Sequence, residues 1–302
     1  MRIIITGPTA SGKTRLSIQL ARMLDCPVIS ADSRQCYRHM DIGTGKVTPG
    51  EMGDIPHYNI SNFDPDQKDD AAAFAARSKQ WEAEIRTYSH HVIYAGGSTL
   101  YLEALLWPLD GLPKASPENL LELERLEIEK GRDHIMDMII QSDPEYTGKM
   151  DGYNRQRIFR ALDVWMQTGK PFSSFHTLGQ KKLPAGTLMF GCHYPREILY
   201  NRINKRVDNM ITSGLIEEVQ GILDMGYKAE AQALQTVGYR EVIAYFNRKY
   251  TREEMIEKIK TNSRRYAKRQ LTWFRRWEFL QWLENDDPLS MINKKILVNE
   301  NS

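Results

Sequence analysis

The sequence has little cysteine, and what it has is scattered. Cys26, Cys36 and Cys192 are the only three in 302 residues. Their number is odd and no metal-ligand spacing links them. A disulfide framework and a zinc site are therefore not expected, and a reduced, cytoplasmic setting is the simpler reading. No apolar run approaches the roughly 20 residues of a membrane span. The first residues lead straight into an apolar strand pattern, so no signal peptide is expected. No internal repeat or low-complexity stretch stands out. What is there is an ordinary globular composition, 41% apolar, suited to one large domain or two moderate ones.

The formal net charge is only +2, but it is unevenly spread. Residues 151–280 carry 23 Lys and Arg against 13 Asp and Glu, whereas residues 1–110 carry 11 against 13. A near-neutral front and a basic back suit a back that faces a polyanion. A set of solvated helix faces would give the same count.

The N-terminus carries the sharpest motif. Gly7-Pro8-Thr9-Ala10-Ser11-Gly12-Lys13-Thr14 matches G-x-x-x-x-G-K-[ST], the phosphate-binding loop. Its glycines let backbone N–H groups turn in around a diphosphate, and the following helix directs its positive end at the same anion. Lys13 adds a mobile cation, and the Thr14 hydroxyl is placed to ligate Mg²⁺. Ile3-Ile4-Ile5 before the loop reads as a buried strand. Leu16, Leu20 and Leu24 after it fall at helical spacing.

A second short strand, Val28 to Ala31, ends at Asp32-Ser33-Arg34-Gln35. Ligands of open parallel α/β sheets sit beyond the carboxyl ends of the strands, so Asp32 is a candidate for chemistry as well as for capping the next turn. Residues 41–66 read as loop and Asp69 to Tyr88 as helix. A third strand, His91 to Ala95, ends in Gly96-Gly97-Ser98-Thr99. An NTP hydrolase normally keeps an acid there for Mg²⁺ and water. Two glycines fit instead a backbone closely approached by a ligand.

After residue 113 the pattern turns helical. Helices are expected from Ser116-Pro117, over Asp133 to Gln141, and from Asn154 to Gln167. Leu188 to Cys192 reads as a returning strand. Further helices cover Glu197 to Ser213, with Gly214 as its C-cap, and Leu215 to Met225. The last, opened by a Thr251 to Glu254 capping box, runs to about Leu283. In it, Arg264 to Trp277 holds six cations and no acid. Arg265, Lys268, Arg269, Thr272 and Arg276 share one side. Such a face suits phosphate contacts, with aromatics available to stack on unpaired bases; docking on an acidic protein surface is the alternative. The fold expected is an α/β, P-loop-type parallel sheet core flanked by helices, with a mostly helical insertion at 114–185 and a helical C-terminal part. Residues 1–113 and 186–302 would form the core.

Several separated stretches together resemble the tRNA dimethylallyltransferase (tRNA isopentenyltransferase) family. They are Gly7 to Thr14, Asp32 to Tyr37, Asp41-Ile-Gly-Thr44, Gly96-Gly-Ser98 with Leu100-Tyr101, Arg160 to Val164 with Thr168 to Pro171, and Tyr266-Ala-Lys-Arg-Gln-Leu-Thr-Trp-Phe-Arg275. The likeness runs in order from residue 1 to about 280 and leaves the tail uncovered. It implies transfer of a dimethylallyl group from dimethylallyl diphosphate to N6 of the adenosine just 3′ of the anticodon, position 37, in tRNAs reading codons that begin with U. The phosphate loop then holds the prenyl diphosphate, with Mg²⁺ at Thr14, and no water needs activating, which accounts for the missing acid.

The resemblance also implies residue roles. Asp32 matches the family's general base, and Arg206, in preference to Arg202, the arginine that stabilises the leaving group beside Lys13. Ser98 stands where the family has a channel Thr. Thr99 departs from the usual Gly or Met, which bears on channel width. Contacts to tRNA are implied at Asp32, Ser33, Arg34, Gln35, Ser98, Gln156, Arg157, Arg160, Gln235, Arg240, Lys268, Arg269, Thr272 and Arg275, within the ranges 32–35, 156–160, 235–240 and 268–275. Phe159, Leu234 and Val237 read as core, and Arg157 and Arg160 have a plain solvated reading as well. A monomer with no obligate protein partner and no membrane is the default. The competing readings are a prenyltransferase for free adenine nucleotides, a small-metabolite kinase and a non-catalytic tRNA-binding module.

Overall fold

Three isoleucines in a row split between two cores. In the computed structural model, which describes residues 1–107, 112–150, 152–175, 182–283 and 287–300, Ile3 and Ile5 pack on one sheet face and Ile4 on the other. Successive strand side chains point to opposite faces, so a strand covered on both sides must be apolar throughout. This strand, β1 (Arg2–Thr6), is followed by α1 (Lys13–Leu24), β2 (Val28–Ser30), α2 (Pro49–Met52), β3 (His57–Tyr58), α3 (Ala71–Ile85), β4 (Val92–Ala95) and α4 (Thr99–Leu106). After the insertion come β5 (Thr187–Cys192), α8 (Arg196–Thr212), α9 (Leu215–Asp224), α10 (Tyr239–Phe246), α11 (Arg252–Phe274), β6 (Gln281–Leu283) and α12 (Pro288–Glu300).

The six strands lie in the order β3-β2-β4-β1-β5-β6, and every pairing is parallel. The carboxyl ends of β1, β2 and β4 are neighbours, since Ile5 and Ser30 both pair with Ala95. Leu16 and Leu20 of α1, with Ile292 and Ile296 of α12, cover one face. Phe74 of α3, Leu102 and Leu105 of α4 and Phe274 of α11 cover the other. A separate helical core joins Val207, Leu215, Val219, Tyr239, Val242, Met255 and Ile259 to Cys36, Tyr37 and Met40. Among the described residues no helix is long and apolar enough to cross a membrane.

The chain divides into two compact units, Met1–Pro108 with Lys182–Ser302, and Leu109–Lys181. The second contains α5 (Pro117–Ser142), α6 (Pro144–Thr147) and α7 (Arg155–Thr168). α5 is interrupted by non-helical Gly131 (φ 84°), and α7 is capped by the Asn154 side chain and stopped by left-handed Gly169. Ile135 and Ile139 meet Ile158 and Leu162 in its own core. Residues 176–181 of the expected insertion lie outside the described residues.

Three expectations change. The stretch 41–66 is not all loop: a capping box of Thr48 with Glu51 opens the one-turn α2, and β3 pairs with β2. The last long helix stops at Phe274, not at Leu283. Trp277 and Leu280 bury into the sheet core, and β6 satisfies the edge of β5. Gly191 has no side chain because the Trp282 ring covers it; a Cβ there would come within 2.7 Å. The C-cap of α8 is Ser213 and not Gly214, which takes the left-handed region with φ 99° as N-cap of α9.

Candidate active site

The phosphate loop is shaped by local backbone demands. Gly7 (φ 143°) and Gly12 (φ 82°) take conformations that favour glycine. A Cβ on Gly7 would also meet the Cys192 carbonyl at 2.8 Å. The loop feeds α1, whose free N–H groups and positive end face the same side. Lys13 Nζ donates to the Pro8 carbonyl at 2.7 Å. Burial holds its ammonium down at about 8, while Asp32 pulls upward and Arg206 adds to the depression.

Beyond the strand ends lies a cavity of about 330 Å³, within the range of small-ligand sites. Lys13, Thr14, Asp32 and Arg206 all line it. So do Thr9, Ser33, Arg34, Gln35, Gln235, Arg240 and Arg269. Among the described residues that line it, Asp32 is the one carboxylate against five cations, so the cavity favours an anion.

Asp32 is both a cap and a cavity residue. Its Oδ1 accepts from the Arg34 N–H at 2.8 Å and from the Gln35 N–H at 3.4 Å, which folds the turn after β2. Arg206, on α8, donates from Nη2 to the Thr44 carbonyl at 2.9 Å. Burial lowers its affinity for its proton and Asp32 opposes that. It lies flat against Gly45 (φ 57°), where a Cβ would sit 2.3 Å from Nη2. Arg202, one turn earlier, stays outside the cavity lining. Its Nε donates to the Ala10 carbonyl at 2.8 Å and its guanidinium stacks on Tyr194.

Gly96 and Gly97 line the cavity too, but their closest neighbours are protein. A Cβ on Gly96 would lie 2.1 Å from the Ala31 carbonyl oxygen, and one on Gly97 2.4 Å from Gln270 Nε2. The glycines read in the sequence as a ligand approach are thus required first by close protein neighbours, backbone at Gly96 and the Gln270 side chain at Gly97. Ser98 sits outside the lining, as N-cap residue of α4, with its N–H donating to the Ala31 carbonyl at 3.2 Å.

The basic face of α11 is exposed at Arg265, Lys268, Arg269, Thr272, Arg275 and Arg276. Arg264 is turned away and donates to Asn204 Oδ1 at 2.6 Å. Gln235 and Arg240 are exposed as well, the latter paired with Glu241 at 2.7 Å. Gln156 and Arg157 are exposed on α7, in the other unit. Arg160 is not free: it pairs with buried Asp163 at 2.6 Å and donates to the Pro113 carbonyl. Phe159 and Leu234 are core, whereas Val237 reaches the cavity.

The sequence placed Tyr266 and Gln270 in the motif of residues 266–275 but gave neither a role of its own. Burial pushes the Tyr266 phenol up to about 12, and Asp32 adds to it. Gln270, only 4% exposed, stands between Ala267 and Phe274 on the buried side of α11. A polar residue on an apolar helix face was the available signal, since buried amides are hydrogen-bonded.

The residue pattern is matched by family comparison. The model of the family described as IPP transferase matches residues 35–277. The chain belongs to the IPP transferase family. The tRNA dimethylallyltransferase of Clostridioides difficile (strain 630) is 41% identical over 285 residues, 94% of this chain and 91% of that protein. The solved tRNA delta(2)-isopentenylpyrophosphate transferase of Staphylococcus epidermidis is 36% identical, with a TM-score of 0.72 over 100% of this chain and 99% of its own. A eukaryotic dimethylallyltransferase solved while acting on tRNA gives a TM-score of 0.82 at 26% identity, over 99% of this chain and 80% of its own.

Proposed function

We propose that the protein transfers a dimethylallyl group from dimethylallyl diphosphate to N6 of adenosine 37 in tRNAs that read codons beginning with U. The observation that carries this reading is the convergence of Lys13, Arg206 and Asp32 on one cavity. The first two are cations suited to a leaving diphosphate, and the third is a carboxylate suited to an amine proton.

N6 of adenine is a weak nucleophile because its lone pair is delocalised into the ring. As its lone pair forms the bond to C1 of the dimethylallyl group, the bond from C1 to the diphosphate oxygen breaks and N6 must shed a proton. Asp32 takes that proton. Its Oδ1 is occupied by the turn after β2, so Oδ2 is the oxygen left for the base. The electron pair of the broken bond goes to the diphosphate. Lys13, Arg206 and the free N–H groups at the start of α1 stabilise the charge that grows there. Ile203, Val207 and Met210, on one side of α8, give the cavity an apolar wall for the prenyl chain.

Among the described residues no three His, Cys, Asp or Glu side chains gather as a metal site. Mg²⁺ binds through few protein ligands together with substrate phosphates and water. Thr14 would hold it, with Asp32 on the same cavity. When bound, the ion would neutralise diphosphate charge. Adenosine must leave the anticodon-loop stack to enter. The exposed cations of α11 would grip the anticodon arm.

The test is purified protein with labelled dimethylallyl diphosphate and Mg²⁺, offered unmodified tRNA, AMP or ATP in parallel. Label is expected in tRNA alone, on N6 of a single adenosine. Label in AMP and none in tRNA would falsify the tRNA reading in favour of a free-nucleotide prenyltransferase.

A further inference from the structure

The segment Asp41-Ile42-Gly43-Thr44-Gly45 has no part in the chemistry above, yet it is tied down more tightly than a surface loop requires. The Glu218 carboxylate, on α9, accepts from three successive backbone N–H groups of this turn. Oε2 takes Asp41 at 2.9 Å and Ile42 at 2.7 Å, and Oε1 takes Gly43 at 3.1 Å. Oε1 also accepts from the Tyr239 hydroxyl at 2.5 Å. Consecutive N–H groups converging on one carboxylate make a backbone nest for an anion, filled here by the protein's own side chain. Gly43 must lack a side chain, because a Cβ would lie 2.5 Å from the Tyr239 ring. Lys46 fastens the far end of the turn through Asp41 Oδ1 at 2.5 Å and the Tyr37 carbonyl at 2.6 Å.

The turn so held delivers two surfaces to Arg206. The Thr44 carbonyl accepts its Nη2, and Gly45 supplies the bare backbone on which the guanidinium lies. A long flexible cation at the cavity edge has many rotamers, and a fixed carbonyl selects among them before any ligand arrives. We propose that Glu218 is a positioning residue that pre-organises Arg206 for the donor diphosphate, acting through the 41–45 turn. The inference rests on Arg206 gripping that diphosphate.

Glu218→Gln keeps the volume but replaces one acceptor oxygen with a donor facing N–H groups. The probe is inorganic diphosphate with Mg²⁺, its affinity measured by calorimetry on the full chain, alongside donor KM and tRNA affinity. Glu218→Gln should melt cooperatively, weaken diphosphate binding about 10-fold, the scale of a charge-assisted hydrogen bond, raise donor KM by a similar factor and leave tRNA affinity unchanged. Arg206→Ala should show the same kind of loss, and adding Glu218→Gln to it should cost no more than about 2-fold, as expected of residues acting through one contact. If Glu218→Gln fails to fold, Tyr239→Phe removes one of the four bonds and should give a smaller loss with the same non-additivity. Losses that multiply in the double variant, or unchanged diphosphate binding in a folded single variant, overturn the proposal while leaving the Arg206 reading intact. Unchanged binding in Arg206→Ala overturns that reading, and the proposal with it.

Discussion

Gln270 accepts a hydrogen bond from the Thr9 N–H at 2.9 Å, across 261 residues of chain. Its Nε2 donates at 2.7 Å to the Gly97 carbonyl. One amide on α11 thereby ties the phosphate loop to the segment after β4. Gln270→Ala should lower stability by about 1–3 kcal/mol, because buried partners lose their hydrogen bonds. Urea unfolding checks this. Gln270→Glu keeps an acceptor for Thr9, loses the donor to Gly97 and adds negative charge beside the loop. Its donor KM should rise about 10-fold or more, with tRNA affinity unchanged. An unchanged donor KM would mean the amide serves the fold alone.

Lys13 carries a pH signature. Its ammonium sits at about 8 in the folded protein, against 10.5 for an ordinary lysine. Between those values the unfolded chain binds more protons than the folded one, so this group makes stability rise with pH. Lys13→Met removes a charge that burial disfavours. It should be more stable than the parent at neutral pH, and the advantage should shrink as pH climbs from about 8 towards 10.5. Diphosphate should restore the charged form, so binding above about pH 8 should take up a proton that Lys13→Met does not. Calorimetry in buffers of different ionisation heat reads that uptake.

Asp32 has two jobs, and two substitutions separate them. Asn retains an oxygen for the Arg34 and Gln35 N–H groups but cannot act as a base. Asp32→Asn should fold and bind tRNA normally while transfer falls about 10²- to 10⁴-fold. Asp32→Ala should lose transfer and, in addition, about 1 kcal/mol of stability with the turn. Near-normal transfer by Asp32→Asn would leave Asp32 as a turn cap only.

Ile296, 1% exposed in α12, packs on α1 and the sheet. Ile296→Ala should cost about 2–5 kcal/mol by cavity formation. Denaturant midpoints check it. No loss would mean that α12 does not dock in solution.

The sequence announced the parts whose signal is local. A glycine-spaced loop between an apolar strand and a 3.6-period helix needs no tertiary information, and Lys13 and Thr14 were legible from it, as Asp32 was from the end of the second strand. The long motif of residues 266–275 was legible as a unit, but its internal division was not. Arg269 and Arg275 face out while Gln270, between them, faces in. Helical period alone leaves an amide on an apolar face unexplained until its partners arrive from residues 9 and 97.

Other features had no local signal at all. No glycine or proline marks the end of α11, because burial of Trp277 and Leu280 and the open edge of β5 stop that helix. Arg160, implied as a tRNA contact with a plain solvated reading beside it, is also the partner of buried Asp163, which no local pattern signals.

By itself, the sequence determined the fold class, the phosphate loop and the family, since each is written in contiguous residue types and their spacing. The tertiary structure alone decided which side chains share the cavity, that Arg206 and not Arg202 lines it, and that Glu218 and Gln270 brace its walls. Those assignments depend on contacts between residues far apart in the chain, and such contacts exist only once the sheet and helices have packed.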